Sequence, residues 1–343
     1  MRLIKTEELI ESATPEVFSN SAFGVFYKGK EIFFSKNCGT KTIFDLASLT
    51  KVLCTTTLCA VLEKRKVFKR DLKIKDFFSS FDSSKVKTQH LLAHSSGFPA
   101  WAPLFEKFHG SDPIDARQLF EKEILSLWKP ENFEKQIEYS DLGFMLLGWI
   151  IEKLTGETLD VVFQERVTRI FNSKPFESLR FLPSDPDIAP TEECSWRKRV
   201  LRGEVHDDNC YVLGGVAGHA GLFGNVEDVL ELAKNWLFAV SDQEKVFLDP
   251  AIAKQYWQPI TVNGVSRALG WDCVAQKNSA AGSHFSDQTR GHLGFTGTSL
   301  WIDPKNEVIV TLLTNRVFPT RNNDKIRAFR PIFHNTVLGE LGL

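Results

Sequence analysis

The stretch Phe44-Asp45-Leu46-Ala47-Ser48-Leu49-Thr50-Lys51 runs into an uncharged, apolar segment through Val61 and Leu62. It contains Ser-x-x-Lys at the start of a long apolar helix. Ser48 and Lys51 fall one helical turn apart on one face, so the amine can reach the hydroxyl. A serine hydroxyl is a weak nucleophile until a base takes its proton. A lysine buried beside it has its pKa lowered enough to help. The spacing alone is common: Ser84/Lys87, Ser126/Lys129 and Ser195/Lys198 repeat it. Those copies sit among charges or just before Pro130, on segments that read as exposed. Only Ser48 opens an apolar helix, which places its hydroxyl at the inner end of a cleft.

Outward from this helix, residues 3–19 read as an amphipathic helix. Residues 23–27 and 31–35 read as a hairpin across Lys28-Gly29-Lys30. A charged connector, 64–75, follows the Ser48 helix. From there to about residue 236 the patterns are mainly helical, at 88–93, 115–127, 140–154, 159–170 and 226–240. Residues 172–224, rich in Pro, Gly and polar side chains, read as ordered loop. After Pro259 strands return at 268–275, 291–295, 298–303 and 308–314, with a helix from about 323 to 338. Strands at both ends around a helical middle predict an α/β (α+β) fold. The α/β domain comes from both termini, 1–66 and 243–343, and a helical domain, 67–242, is inserted in it. The Ser48 helix then sits at their junction, where clefts form.

The chain has 343 residues, 43% hydrophobic and 25% charged, with a net charge of -1. These are the proportions of a soluble globular protein. No long basic run is present, so nucleic acid is excluded as a partner. Met1 to Glu8 carries acids early and no apolar core, and does not read as a signal peptide. The longest apolar run, 144–151, is too short to span a membrane. Cys38, Cys54, Cys59, Cys194, Cys210 and Cys273 show no tight spacing. They read as free, mostly buried thiols of a cytoplasmic protein.

Two further motifs bear on Ser48. Glu138-Tyr139-Ser140-Asp141-Leu142-Gly143 begins a helix, and Ser140 or Asp141 serves as its N-cap. Tyr139 then projects into the cleft from the loop before it. A phenol beside a lysine ammonium is easier to ionise and can act as general base. Gly291-His292-Leu293-Gly294-Phe295-Thr296-Gly297-Thr298-Ser299 reads as an edge strand lined with small residues. It lets a substrate lie close and offers a backbone N–H to an oxyanion.

Together these motifs resemble the serine β-lactamase and penicillin-binding-protein family, whose pattern is Ser-x-x-Lys, Tyr-x-Asn or Ser-x-Asn, then Lys-Thr-Gly. Here the three read Ser48-Leu49-Thr50-Lys51, Tyr139-Ser140-Asp141 and His292-Leu293-Gly294, in family order. The tyrosine points to the class C and esterase-like branch. Gln89 to Gly97, Ala220-Gly221-Leu222-Phe223 and Leu313-Thr314-Asn315-Arg316 also match that branch. The resemblance implies a β-lactamase-like fold and Ser48 as the acylated nucleophile. It implies that Lys51 and Tyr139 share the proton transfers, and that the backbone N–H groups of Ser48 and Phe295 form the oxyanion hole. It implies Asn315 and Arg316 at a substrate carboxylate, and no metal or organic cofactor.

Two departures matter. Asp141 stands where the family has an amide; an ionised carboxylate cannot donate, but it can pair with Lys51. His292 stands where the family has a permanently charged lysine, and imidazole charges only as pH falls towards about 6.5 or below. Both changes favour a small ester, amide or muropeptide substrate over penicillins. The implied enzyme is a serine hydrolase, with an amidase or D-Ala carboxypeptidase as the alternative. A non-catalytic muropeptide-binding module would not require Ser48, Lys51 and Tyr139 together.

Other residues carry blander readings. His94 and Ser96 cap and pack a helix end. His206-Asp207-Asp208 and His219 lack the spaced ligands of a metal site. Gly214 to Gly221 lacks the Lys-Ser/Thr of a phosphate loop and reads as a flexible cleft-lining loop. Cys194 to Arg199 reads as a solvated face from which Arg197 could contact an anionic substrate.

Overall fold

The computed structural model describes residues 1–169, 176–243 and 246–343. The chain begins with helix α1 (Ile4–Ala13) and strands β1 (Ser21–Tyr27) and β2 (Lys30–Lys36). Helix α1 stops well short of residue 19 because Pro15 cannot continue it. The expected hairpin forms, with Tyr27 opposite Lys30. Its tight turn has positive φ at both Lys28 (47°) and Gly29 (81°), the geometry that suits the twist of a two-residue hairpin.

Strands β3 (Ile260–Val262), β4 (Val265–Arg267), β5 (Asp272–Cys273), β6 (Arg290–Leu293), β7 (Ser299–Asp303) and β8 (Val308–Thr314) come from the C-terminal part. All eight strands form one antiparallel sheet in the order β2-β1-β8-β7-β6-β5-β4-β3. Ser21 lies opposite Thr314, so the two ends of the chain share the sheet. The strand expected at 268–275 is cut to β5 because Gly270, at φ 83°, turns the chain just before it.

Side chains alternate across the sheet with the period of two that strands impose. Phe23 and Val25, with Val308, Val310 and Leu312, pack under α1 and helix α5 (Ile326–Glu340). Ala22 and Phe26, with Ile309 and Leu313, face the other way into the large central core. That core holds helices α2 (Thr57–Lys64), α3 (Asp141–Thr155) and α4 (Val226–Val240). Helix α4 packs on β8 and β1, although its position in the chain placed it in the helical insertion. Gly24 makes room for it: a Cβ there would stand 3.2 Å from Val226 Cγ2.

The helix expected at 159–170 is Leu159–Phe163 followed by a π-helical turn, Gln164–Thr168; residue 170 lies outside the described residues, as do 172–175 of the expected loop. The rest of that loop carries Arg180–Phe181 and Leu222–Gly224, which join Phe44–Asp45 in a small three-stranded sheet. All six cysteines are free, with Cys54, Cys59, Cys194 and Cys210 buried. Among the described residues no helix is long and apolar enough to cross a membrane.

Candidate active site

Ser48 stands on a turn that the rest of the fold holds in place. Phe44–Asp45 is paired to Leu222–Gly224, and the chain then bends at Ala47, whose φ of 47° is rare for a residue with a side chain. Asp45 secures the bend. Its Oδ1 accepts the Ala47 N–H at 2.8 Å, and its Oδ2 accepts the His206 N–H at 2.7 Å. Thr296 and Thr298, between β6 and β7, donate their hydroxyls to the Asp45 and Leu46 carbonyls at 2.7 and 3.1 Å. The helix beyond Ser48 opens with a π-helical turn, Lys51–Thr56, before α2. Such turns recur at functional sites.

Lys51 is fully buried. Its Nζ lies 3.1 Å from Ser48 Oγ, 3.0 Å from the His219 carbonyl and 2.6 Å from Asp141 Oδ1. Burial pushes its pKa down, and Asp141 opposes that without cancelling it. The His219 carbonyl reaches Lys51 because Gly148 of α3 and Gly218 touch backbone to backbone; a Cβ on Gly218 would stand 2.1 Å from the Phe144 carbonyl. The 214–221 segment is therefore packed down at Gly218 and His219.

Tyr139 precedes α3 and donates its hydroxyl to Ser48 Oγ at 2.8 Å. Ser140 caps the helix by accepting the Gly143 N–H at 3.0 Å, and Tyr139 lines the cleft. The expected easing of Tyr139 ionisation does not occur. Burial, then the Asp141 charge, raises its pKa well above the usual phenol value, against the pull of its bond to Ser48 and of Arg267. The resting phenol keeps its proton. His94, read as helix-end packing, also supports this ring: it stacks 4.9 Å from Tyr139, and its Nδ1 accepts the Ser140 N–H at 2.9 Å.

Strand β6 is not an edge strand, since β7 and β5 flank it. However, β5 pairs only with Arg290 and Gly291, and His292 and Leu293 run on past its end. The cleft opens there. His292 is 2% exposed, its Nδ1 lies 2.8 Å from the Leu293 carbonyl, and its ring stands 5.7 Å from that of Tyr139. Burial lowers its pKa to about 4; Asp272 opposes this, and Lys51 and Arg267 add to it. It is neutral across pH 6 to 8, so the charging expected near pH 6.5 is displaced far to acid.

The cleft has a volume of about 600 Å³ and is lined by Ser48, Tyr139, Asp141, His292, Gly294 and Phe295, among others. Neither the Ser48 nor the Phe295 N–H donates to a backbone carbonyl among the described residues. Asn315 does not reach the cleft as expected. Its amide nitrogen donates to Ser19 Oγ, Asn20 Oδ1 and the Pro190 carbonyl, and its oxygen accepts the Asn20 N–H. It pins the start of β1 and has nothing left for a substrate. Arg316 does line the cleft, with its guanidinium 4.3 Å above the Phe295 ring and its Nε donating to the Phe295 carbonyl at 2.7 Å. Arg327 and Arg330 share that wall. Burial, then the charges of Arg316 and Arg327, lowers the Arg330 pKa to about 9.

Asp207 and Asp208 line another part of the cleft. Asp207 Oδ1 lies 2.9 Å from His219 Nε2. Asp208 takes both Arg197, at 2.7 Å, and Arg321, at 3.0 Å. The Arg197 side chain is 2% exposed, so it braces this wall rather than reaching out to a substrate. Sequence reasoning missed Asp45, Arg267 and Asp272. The Arg267 guanidinium stands 5.2 Å from the Tyr139 ring centre and is paired with Asp272. The hairpin that carries Arg267 had a signal, Asn263-Gly264, with positive φ at both residues.

The fold and a serine so placed define the class: this is a serine hydrolase. The beta-lactamase family model matches residues 13–330, and the chain belongs to that family. It is 30% identical over 335 residues to the N-acetylmuramyl-L-alanine amidase of Bacillus subtilis (strain 168), covering 88% of this chain and 74% of that protein. It is 29% identical over 307 residues to a putative D-alanyl-D-alanine carboxypeptidase of Escherichia coli (strain K12), covering 81% and 70%. The fold matches that of a class C beta lactamase from Rhodobacter sphaeroides with a TM-score of 0.70 at 18% identity, over 96% of this chain and 99% of that one.

Proposed function

We propose that Ser48 forms an acyl-enzyme with a small peptide amide or ester, and that Lys51 and Tyr139 move the protons. One observation carries this: the Tyr139 hydroxyl and the Lys51 amine converge on Ser48 Oγ at 2.8 and 3.1 Å in the cleft. Lys51 in its neutral form takes the Ser48 proton as Oγ attacks the carbonyl carbon. The backbone N–H groups of Ser48 and Phe295 receive the oxyanion. Tyr139 protonates the leaving atom and is itself reprotonated by the Lys51 ammonium, which Asp141 steadies. Water then attacks the acyl-enzyme along the same path. No step calls on a metal or organic cofactor.

On this reading a substrate carboxylate docks on Arg316, with Arg327 and Arg330 adding charge, and Asn315 takes no part. The substrate lies against the end of β6, where Gly294 lines the cleft. The substrate class is an alanyl amide within a small muropeptide, in keeping with the names of the two relatives. The free, largely buried thiols fit the cytoplasm. The cleft is the junction of the sheet domain, 1–66 and 243–343, with the inserted helical domain, 67–242, except that α4 goes with the sheet on which it packs. Intact-mass measurement after treatment with a fluorophosphonate tests the assignment. One adduct is expected, lost in Ser48→Ala. A label on the Ala variant, or on Ser84, Ser126 or Ser195, overturns it.

A further inference from the structure

The corner where β5 ends against β6 carries acceptors with nothing to accept. Asp272 lies opposite Gly291, next to His292 in the chain, and both side chains line the cleft. Asp272 gives its Oδ1 to Arg267, and its Oδ2 takes no hydrogen bond among the described residues. The Asp272 side chain is 22% exposed, so this oxygen is open to a ligand. His292 is equally constrained. A carbonyl can only accept, so the Nδ1 facing the Leu293 carbonyl must carry the ring proton. Neutral imidazole then has a bare lone pair on Nε2, and that atom is buried without a partner. A buried acceptor left unpaired is costly, and the cost is relieved only when a donor arrives.

The donor's position follows from the proposed chemistry, on which this inference rests. The leaving atom must come to the Tyr139 hydroxyl to be protonated. The His292 ring lies beside Tyr139, and Arg267, which holds Asp272, lies over the Tyr139 ring. The atoms nearest this corner are therefore those of the leaving group. We propose that Asp272 and His292 form an acceptor subsite for the N–H of the departing amine, and so select amides over esters. As the tetrahedral intermediate collapses, the C–N bond breaks and its electron pair stays on nitrogen. That pair takes the Tyr139 proton, while the hydrogen already on nitrogen points to the acceptors. The amine leaves neutral with both hydrogens. An ester oxygen has no hydrogen to offer and leaves both acceptors unpaired. The charged groups around the corner are Lys51, Asp141 and Arg267, with His94 behind Tyr139. Lys51 is matched by Asp141 and Arg267 by Asp272, so the subsite reads a hydrogen-bond donor rather than a net charge.

The test compares kcat/KM for N-acetyl-D-alanine p-nitroanilide and its p-nitrophenyl ester. Asp272→Ala and His292→Phe should each lower the amide-to-ester ratio about 10-fold, the scale of one hydrogen bond to a buried acceptor. His292→Gln, which keeps an acceptor oxygen, should restore part of the ratio. Fluorophosphonate labelling at Ser48 in the same proteins separates failure of the serine mechanism from failure of the subsite. Nitrogen-15 spectra of the His292 ring should show a proton on Nδ1 and none on Nε2 at pH 7, whatever the turnover. The opposite tautomer, an equal fall for both substrates, or a labelled wild type that cleaves only the ester overturns the proposal.

Discussion

Asp141 sets how readily Lys51 gives up its proton. A carboxylate 2.6 Å from the amine favours the ammonium, while burial disfavours it more strongly, and the pKa settles below 10.5. A base works only when unprotonated, so acylation by a neutral p-nitrophenyl ester should rise with pH as Lys51 loses its proton. Asp141→Asn removes the opposing charge, and the rising limb of the pH–rate profile should move to lower pH. A shift the other way would remove Lys51 as the base. Lys51→Ala should lose on the order of 10²-fold or more in rate. With His292 at about 4, the profile should show no inflection from His292 between pH 6 and 8. The sequence could name all of these residues. It could not give their protonation, which depends on burial and on charges brought from distant parts of the chain.

At the scale of elements, the end of β6 and the Ser48 turn are fitted to each other at Gly294. A Cβ there would stand 2.0 Å from Thr298 Oγ1 and 2.7 Å from the Leu46 carbonyl. The same two groups form the bond that ties the β6–β7 connection to the Ser48 turn. Gly294→Ala should cost about 1–3 kcal/mol, the usual penalty for overpacking. It should also slow labelling of Ser48 by shifting the turn. Denaturant midpoints and labelling rates measured together check this, and full stability with full labelling would contradict it. The motif announced small residues at this place. What makes smallness necessary is a carbonyl from residue 46, which no local pattern reveals.

The part of the cleft wall that carries Asp208 depends on the whole chain. Arg321 joins Glu192 to Asp208, Arg197 joins Asp208 to Glu204, and His206 Nε2 lies 3.0 Å from Glu192. Burial alone would raise the Glu192 pKa, but its bonds to His206 and Arg321 outweigh that and lower it from 4.5 to about 2. A depressed carboxylate pKa stabilises the fold above the unfolded value and loses that contribution as pH falls towards the folded one. Arg321→Ala should therefore destabilise the protein at pH 7. The gap to wild type should narrow as pH drops from about 4.5 to 2. Urea unfolding of both proteins across that range measures it, and a gap that stays constant would contradict the role given to Glu192.

Local regularities were legible without the fold. Residues 226–240 and 308–314 carry unbroken helical and strand patterns, and both elements form over those residues. Ser48, Lys51 and Tyr139 stood out because their order matched a known family, and the fold brings them within hydrogen-bonding distance. Periodicity and motif order are properties of neighbours in the chain, so the sequence by itself determined the most regular elements, the family and the residues proposed for the centre of the site. Only the tertiary structure decided which side of the cleft α4 belongs to, that Asn315 is spent on Ser19, Asn20 and Pro190, and that β5 stops short of His292. It also decided that Tyr139 keeps its proton while His292 carries none to spare. Those outcomes depend on which groups lose water and which counter-charges meet them, and the groups concerned lie far apart until the chain has folded.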